Sequence, residues 1–267
     1  MLLAIDVGNT NTKIALCDPA GLEVTATWRI SSLRDRMPDE WYAILTSLLR
    51  TVAHRVDQIT AVAIASVVPT ITTWLTEMCR RRLAVDPLLI TTASDLGMEI
   101  QTDIPGETGI DRIVNGVAAF ARLGGPVIVV DCGTATKFDV VSRDGAFLGG
   151  AIAPGLALSL DALTGRAARL YAVSLEPPHR ALGTNTVASI QSGVVLGYLA
   201  LCDGMIARIR DEIGPESKVV ATGGAAAMVS DALPAISEYI PTLTLDGIRA
   251  IYRRGIGVDN VVASAPS

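Results

Sequence analysis

The sequence predicts an α/β protein made of two similar halves, each a mixed β-sheet flanked by helices. Three observations predict it. Apolar and β-branched runs alternate with segments of helical spacing. The pattern strand, D-x-G turn, strand, turn, strand occurs near the start and again from residue 127. Half of the 267 residues are apolar, enough for a sizeable core, and no linker rich in Pro, Gly or Ser separates the copies. The halves are expected at residues 1–115 and 116–267, with a functional cleft between them.

In the first half "LLAID", "KIALCD" and "LEVTATWRI" read as strands, with "DPAG" as the second turn. Helical spacing in "DEWYAILTSLLRTVAHR" is followed by the strand-like "AVAIASVVP", a helix at "TITTWLTEMCRRRL", a short strand "PLLITT" and a helix beginning near Ile110. The second half starts again with "VIVVD", "CGTATKFDVVS" and "AFLGGAIAP", turning at "RDG". Helices are expected over 156–170, 190–213 and 225–233, a strand at "KVVATGG", and a last helix at "GIRAIYRR".

Charge and cysteine usage exclude several function classes. The formal net charge is -5, and the longest basic run is residues 80–82, so neither a nucleic-acid tract nor an anionic-membrane anchor is encoded. Small molecules or another protein are the expected partners. Met1 leads straight into a strand with no basic leader segment, and long apolar stretches are interrupted by charge, as at Asp203, which predicts a cytoplasmic protein without a membrane span. Cys17, Cys79, Cys132 and Cys202 form no CxxC pair and His54 and His179 stand alone, so no disulfide framework or zinc site is expected. The cysteines read as small buried hydrophobes, and Cys132 has no neighbouring base to activate it.

The two D-x-G turns carry the candidate chemistry. Asp6, Val7, Gly8, Asn9, Thr10, Asn11, Thr12 and Lys13 offer backbone N–H groups, hydroxyls and amides in close succession, with glycine letting a ligand approach the backbone. Asp131, Gly133, Thr134, Ala135 and Thr136 offer the same from the second half, so one polyphosphate could be gripped from two sides. Lys13 can act as a point charge, and Asp6 and Asp131 can hold cations directly or through water. A single such hairpin would read first as a good turn and no more. Duplication favours a ligand. Neither turn fits G-x-x-x-x-G-K-[ST] or G-x-G-x-x-G.

Paired turns followed by "ATGG" at 221–224 resemble the actin-like ATPase superfamily of sugar kinases and chaperones, whose ribonuclease H-like halves enclose a nucleotide. More closely, "DVGNTNTK", "GIDRIVNGVAA", "VIVVDCGTAT", "LGGAIAPG", "GTNTVASIQSGVVLGY" and "VVATGG" resemble, in order and spacing, the type III pantothenate kinases from end to end. The resemblance implies ATP-dependent phosphorylation of pantothenate to 4'-phosphopantothenate, the first step of coenzyme A biosynthesis. By the same resemblance, the stretch from Asp6 to Lys13, with Gly133, Thr134 and Gly223, would bind ATP. Gly109, Ile110, Asp111 and Arg112 would contact pantothenate, as would Thr186 from a partner subunit in a homodimer with shared active sites. Asp6 would serve Mg²⁺, and Asp131 a monovalent cation, K⁺ or NH₄⁺.

Phosphoryl transfer needs an acceptor hydroxyl placed in line with the γ-phosphate and charge neutralised on its oxygens. Asp111 is the expected base, because "GIDR" sets a carboxylate at a helix start beside Arg112, which can orient an anionic substrate. Both neighbours favour the ionised form, so Asp111 is available at neutral pH but weakly basic, which suits late proton abstraction in a loose transition state. Standing alone, "GIDR" would read as a helix cap paired with arginine.

Two positions depart from the family pattern. Gln101, Thr102 and Asp103 stand where the family has a tyrosine-containing stretch ahead of "GxDR", and Lys137 stands where it has threonine, placing an ammonium six residues after Asp131 that could replace the ion. Two other functions stay open on the sequence: a catalytically lapsed homologue that binds nucleotide or pantothenate as a regulator, and a kinase for a different small acceptor.

Overall fold

The computed structural model describes residues 1–164 and 173–257. In chain order the elements are β1 (Leu2–Val7), β2 (Asn11–Cys17), β3 (Val24–Ser31), α1 (Pro38–Arg50), β4 (Ala61–Ser66), α2 (Pro69–Met78), β5 (Leu88–Ile90) and α3 (Ile110–Leu123). They continue with β6 (Val127–Cys132), β7 (Ala135–Val141), β8 (Phe147–Pro154), α4 (Leu156–Thr164), α5 (Thr186–Gln191), α6 (Gly197–Ile213), β9 (Lys218–Thr222), α7 (Ala226–Ala232), β10 (Glu238–Tyr239) and α8 (Leu243–Gly255). The expected extension of α4 to residue 170 lies outside the described residues.

The duplication expected from the D-x-G repeat is present in the strand order. One five-stranded sheet runs β3-β2-β1-β4-β5 and the other runs β10-β9-β6-β7-β8, the same order read from the opposite edge. In each, the first strand pairs antiparallel with the second and parallel with the fourth, β1 with β2 and β4, β6 with β7 and β9. Even a register shift recurs at the equivalent place, between Leu16 and Cys17 in one sheet and Val140 and Val141 in the other.

Two compact units follow from these sheets. The first comprises Met1–Glu99, Asp103–Ala118 and the chain from Leu243; the second comprises Ile100–Thr102 and Ala119–Thr242. These bounds differ from a contiguous division after residue 115, because α8 packs on β1, β2, β4 and β5 and so returns the end of the chain to the first unit. α8 also comes close to α3 at Gly247, where a Cβ would stand 2.0 Å from the Val114 carbonyl oxygen.

Each unit has its own core. In the first, the all-buried β1 packs with Trp41, Leu45 and Leu49, three residues spaced four apart along α1, and with Ile71, Leu75 and Met78 of α2. In the second, Ile128, Val130, Phe138 and Val219 meet Val195, Tyr198, Leu199, Cys202, Ile206 and Ile209. Those last six lie along one helical stretch, 186–213, in which α5 passes through a π-helical turn, Ser192–Leu196, into α6. By length and composition alone this stretch could cross a membrane. Its apolar face is instead committed to the second core.

Candidate active site

The first turn joins β1 to β2. Its tip closes through the Gly8 N–H donating to the Asn11 carbonyl at 3.0 Å, and a Cβ on Gly8 would meet that oxygen at 3.2 Å. Asn9 and Thr10 are exposed at the tip, on the side from which an anion in solvent would approach. Val7 and Thr12, both expected at the nucleotide, turn inward: Val7 lies in the core and the Thr12 hydroxyl is 2.9 Å from Ser32 Oγ. They can serve a ligand through their backbones. Asp6 is buried at 7 % exposure, with Lys13 Nζ 3.6 Å from its Oδ2 across the strand pair.

The second turn joins β6 to β7, with exposed Gly133 and Thr134 at its tip. Two glycines far along the chain press against it. A Cβ at Gly155, just before α4, would stand 2.3 Å from the Gly133 oxygen and 2.4 Å from the Thr134 oxygen. A Cβ at Gly223, whose φ of +98° is left-handed, would stand 2.7 Å from both Asp131 Oδ1 and the Cys132 carbonyl oxygen. The Ala225 N–H donates to that carbonyl at 3.1 Å, so the "ATGG" turn is fastened to the second D-x-G turn. Thr136 is buried with its hydroxyl 2.8 Å from the Tyr198 hydroxyl. The Cys132 thiol, hydrogen-bonded with Cys202 and desolvated, is held above its ordinary range, so it supplies no thiolate.

Asp131 completes the turn. In register it lies between Lys137 of β7 and Thr222 of β9, and Lys137 Nζ is 2.8 Å from Asp131 Oδ2. Among the described residues the Thr222 hydroxyl, fully buried beside it, has no hydrogen-bond partner.

Gly109 and the first turn of α3 form the third element, in the first unit. Asp111 Oδ1 accepts from the Arg112 N–H at 3.0 Å, a donor it shares with the Gly109 carbonyl, also at 3.0 Å. A Cβ on Gly109 would meet Asp111 Oδ1 at 2.7 Å, so glycine makes room for the carboxylate. Ile110 is buried at 7 % exposure, leaving its backbone to reach a ligand. Thr186 is exposed at the first position of α5, behind Asn185, whose side chain accepts from the Ala188 N–H at 2.9 Å.

Sequence reasoning missed three residues here. Gly155 had a signal, the Pro-Gly that ends "AIAPG". Thr222 had none. Asn115 lies one turn beyond Asp111, and among the described residues neither end of its buried side chain has a partner. Each such orphan costs about 1–3 kcal/mol unless a ligand or water meets it, which makes Asn115 a further substrate-side candidate. Its signal was an amide on the apolar face of an amphipathic helix. Thr102, at the departure ahead of "GIDR", sits beside β8, where a Cβ on Gly149 would lie 3.7 Å from its Cγ2.

No group of three or more His, Cys, Asp or Glu side chains placed to hold a metal occurs among the described residues. A kinase magnesium ion does not need one, since it is held by one or two carboxylates with substrate phosphates and waters, and Asp6 at the first turn meets that requirement.

The chain is similar to known proteins along most of its length. The family model described as type III pantothenate kinase matches residues 2–208. A type III pantothenate kinase of Thermomicrobium roseum is 48 % identical over 254 residues, covering 95 % of this chain and 97 % of that protein. Among solved structures, one described as a Baf family transcriptional activator from Campylobacter jejuni superposes with a TM-score of 0.60 at 19 % identity, over 96 % of this chain and 99 % of that one. Another, described as a 2-dehydro-3-deoxygalactonokinase from Sinorhizobium meliloti, gives 0.56 at 13 % identity over 95 % and 96 %. At these identities the two structures share the fold of this chain, two mixed sheets flanked by helices. Taken with the end-to-end identity and the matched family model, the chain belongs to the type III pantothenate kinase family.

Proposed function

We propose that this chain transfers the γ-phosphoryl group of ATP to pantothenate, with the residues of its two D-x-G turns on the nucleotide and Asp111 as the base. The observation that carries the reading is the repeat itself: in two sheets of one strand order, each first strand ends in a carboxylate, Asp6 or Asp131, followed by a glycine-bearing turn. The "ATGG" turn, fixed against the second of these, is the adenosine-side element.

Asp111 takes the proton of the acceptor hydroxyl as the new bond to phosphorus forms. Arg112 orients the pantothenate carboxylate, and the backbones of Gly109 and Ile110 complete the acceptor site. Lys13 and the N–H groups of the first turn, with Gly133 and Thr134, hold phosphate oxygens and stabilise charge that grows on them. Asp6 would hold Mg²⁺, which when bound neutralises phosphate oxygens. The resemblance also implies a monovalent cation at Asp131, but that carboxylate already carries the Lys137 ammonium, and no step is assigned to the ion.

A homodimer in which Thr186 reaches the partner's pantothenate is part of this reading. It is supported by a face of the 186–213 helix lined with exposed Gly193, Gly197, Ala200, Gly204 and Ala207. The acidic net charge supports a cytoplasmic enzyme with no nucleic-acid or membrane partner.

The test is purified protein with ATP, Mg²⁺ and pantothenate, measuring ADP and phosphopantothenate together. Equal amounts of both are expected. ADP without phosphopantothenate would point to a different acceptor, and nucleotide binding without turnover to a lapsed, regulatory homologue.

A further inference from the structure

We propose that Lys137 is a built-in cation for Asp131, so that this protein binds its nucleotide without recruiting a monovalent ion at the second turn. The inference rests on the reading of that turn as a phosphate site. A carboxylate at the edge of a polyphosphate site repels the ligand unless a positive charge neutralises it. That charge comes from solution or from the chain. Here Lys137 lies directly across the strand pair from Asp131, with Nζ 2.8 Å from Oδ2 and the two side chains only 18 % and 15 % exposed.

The other carboxylate oxygen lies in a close space. Oδ1 is 2.7 Å from where a Cβ would stand on the left-handed Gly223 and 3.4 Å from the Cβ position of Gly133. An ion added on the Oδ2 side would sit against the ammonium and be repelled by it. The charge that a recruited ion would bring to Asp131 is already supplied there by Lys137.

The equivalent pair in the first sheet shows what is particular here. Asp6 and Lys13 occupy the same register, yet stand at 3.6 Å with the lysine 26 % exposed. The second pair is closer and its lysine less exposed, although its carboxylate is 15 % exposed against 9 % for Asp6, and a partly desolvated pair at the shorter distance is less screened by salt. Lys137 acts on the nucleotide through Asp131, as a positioning residue.

The experiment is ADP binding by calorimetry in the presence of Mg²⁺, at constant ionic strength in Tris chloride, KCl or NH₄Cl, on the parent, Lys137→Thr and Lys137→Arg. Phosphopantothenate formation by the parent is measured alongside. The parent and the arginine variant are expected to change affinity by less than about 2-fold among the salts. The threonine variant should lose roughly 10-fold or more in Tris and regain it in KCl or NH₄Cl, as one lost charge-assisted contact predicts.

A parent that gains tenfold from potassium overturns the inference while leaving the kinase reading intact. So does a threonine variant that binds equally in every salt, which would make the pair a purely structural cross-strand contact. So does one whose loss neither ion repairs. If the threonine variant fails to fold, the parent and arginine arms decide. A parent that binds ADP in none of the salts and makes no phosphopantothenate removes the reading and the inference together.

Discussion

The Cβ position of Gly109 lies 2.7 Å from Asp111 Oδ1, closer than any real side chain tolerates, so the two residues cannot both keep their places if the glycine is replaced. Gly109→Ala should therefore turn the Asp111 carboxylate away from its present direction while leaving the first turn, which lies on other elements, untouched. The expected outcome is a fall in kcat of roughly 10-fold or more with the KM for ATP unchanged. Asp111→Asn, which keeps the shape and removes the proton acceptor, should lower kcat by roughly 10²-fold or more. Steady-state kinetics on both variants check this, and a normal kcat in Asp111→Asn would move the base elsewhere.

Gly155 supports the second turn from outside it. A Cβ there would fall 2.3 Å from one turn carbonyl and 2.4 Å from the next, both rigid backbone atoms, so the turn must shift. Gly155→Ala should cost about 1–3 kcal/mol of stability and weaken ADP binding by roughly 10-fold. Thermal unfolding and calorimetry would show it. Unchanged ADP affinity would mean that the tip of the second turn does not touch the nucleotide.

Most of the fold was legible because its strands are short, apolar and bounded by turns, and because the pattern repeats. The duplication of the sheet followed from that repeat, whereas the strand order and the allocation of α8 did not. An amphipathic terminal helix shows that it has a buried face but not which sheet receives it, and here it returns to the first unit. The start of the long helix at Thr186, ahead of the expected 190, had a signal in Asn185, whose amide caps it. The π-helical turn within it had none. At the site, the carboxylates and glycines were readable as residue types suited to phosphate. Which side chains turn inward was not: Val7, Thr12 and Ile110 sit in functional motifs yet pack inside. The contacts of Gly155 and Gly223 join segments distant in sequence, and sequence spacing carries no record of them.

The four cysteines are buried, and burial pushes Cys17 up to about 11 and Cys79 to about 12 from an ordinary 9.0. A raised thiol pKa means that the folded state holds its proton longer than the unfolded chain does. Its contribution to stability is complete below about pH 9 and is lost as the pH rises through 11 to 12. Native protein should accordingly react with a thiol-specific reagent at pH 8 far more slowly than protein in denaturant, which should show all its thiols. Rapid modification of one thiol in the native state would contradict the burial described for it.

The exposed stripe of small residues on the 186–213 helix predicts the oligomeric state. Gly193, Gly197 and Gly204 lie inside the helix, where each costs about 1 kcal/mol relative to alanine, and none has a neighbouring atom within 4 Å of its Cβ position in the chain. Nothing within the monomer therefore requires them. A second helix approaching closely does, since small residues let two backbones come together. The buried face of the same helix is filled by Tyr198, Cys202 and Ile206, so the glycine face is the one left for a partner. Light scattering on the eluting protein should give twice the mass of one chain, and Gly197→Glu, with a charge on that stripe, should give a monomer with unchanged secondary structure. Because Thr186 begins this helix and is assigned to the partner's pantothenate, the monomer should lose kcat/KM for pantothenate by roughly 10-fold or more while binding ADP as before. A monomeric parent would remove both the dimer and the role of Thr186, and a dimeric Gly197→Glu variant would move the interface to another surface.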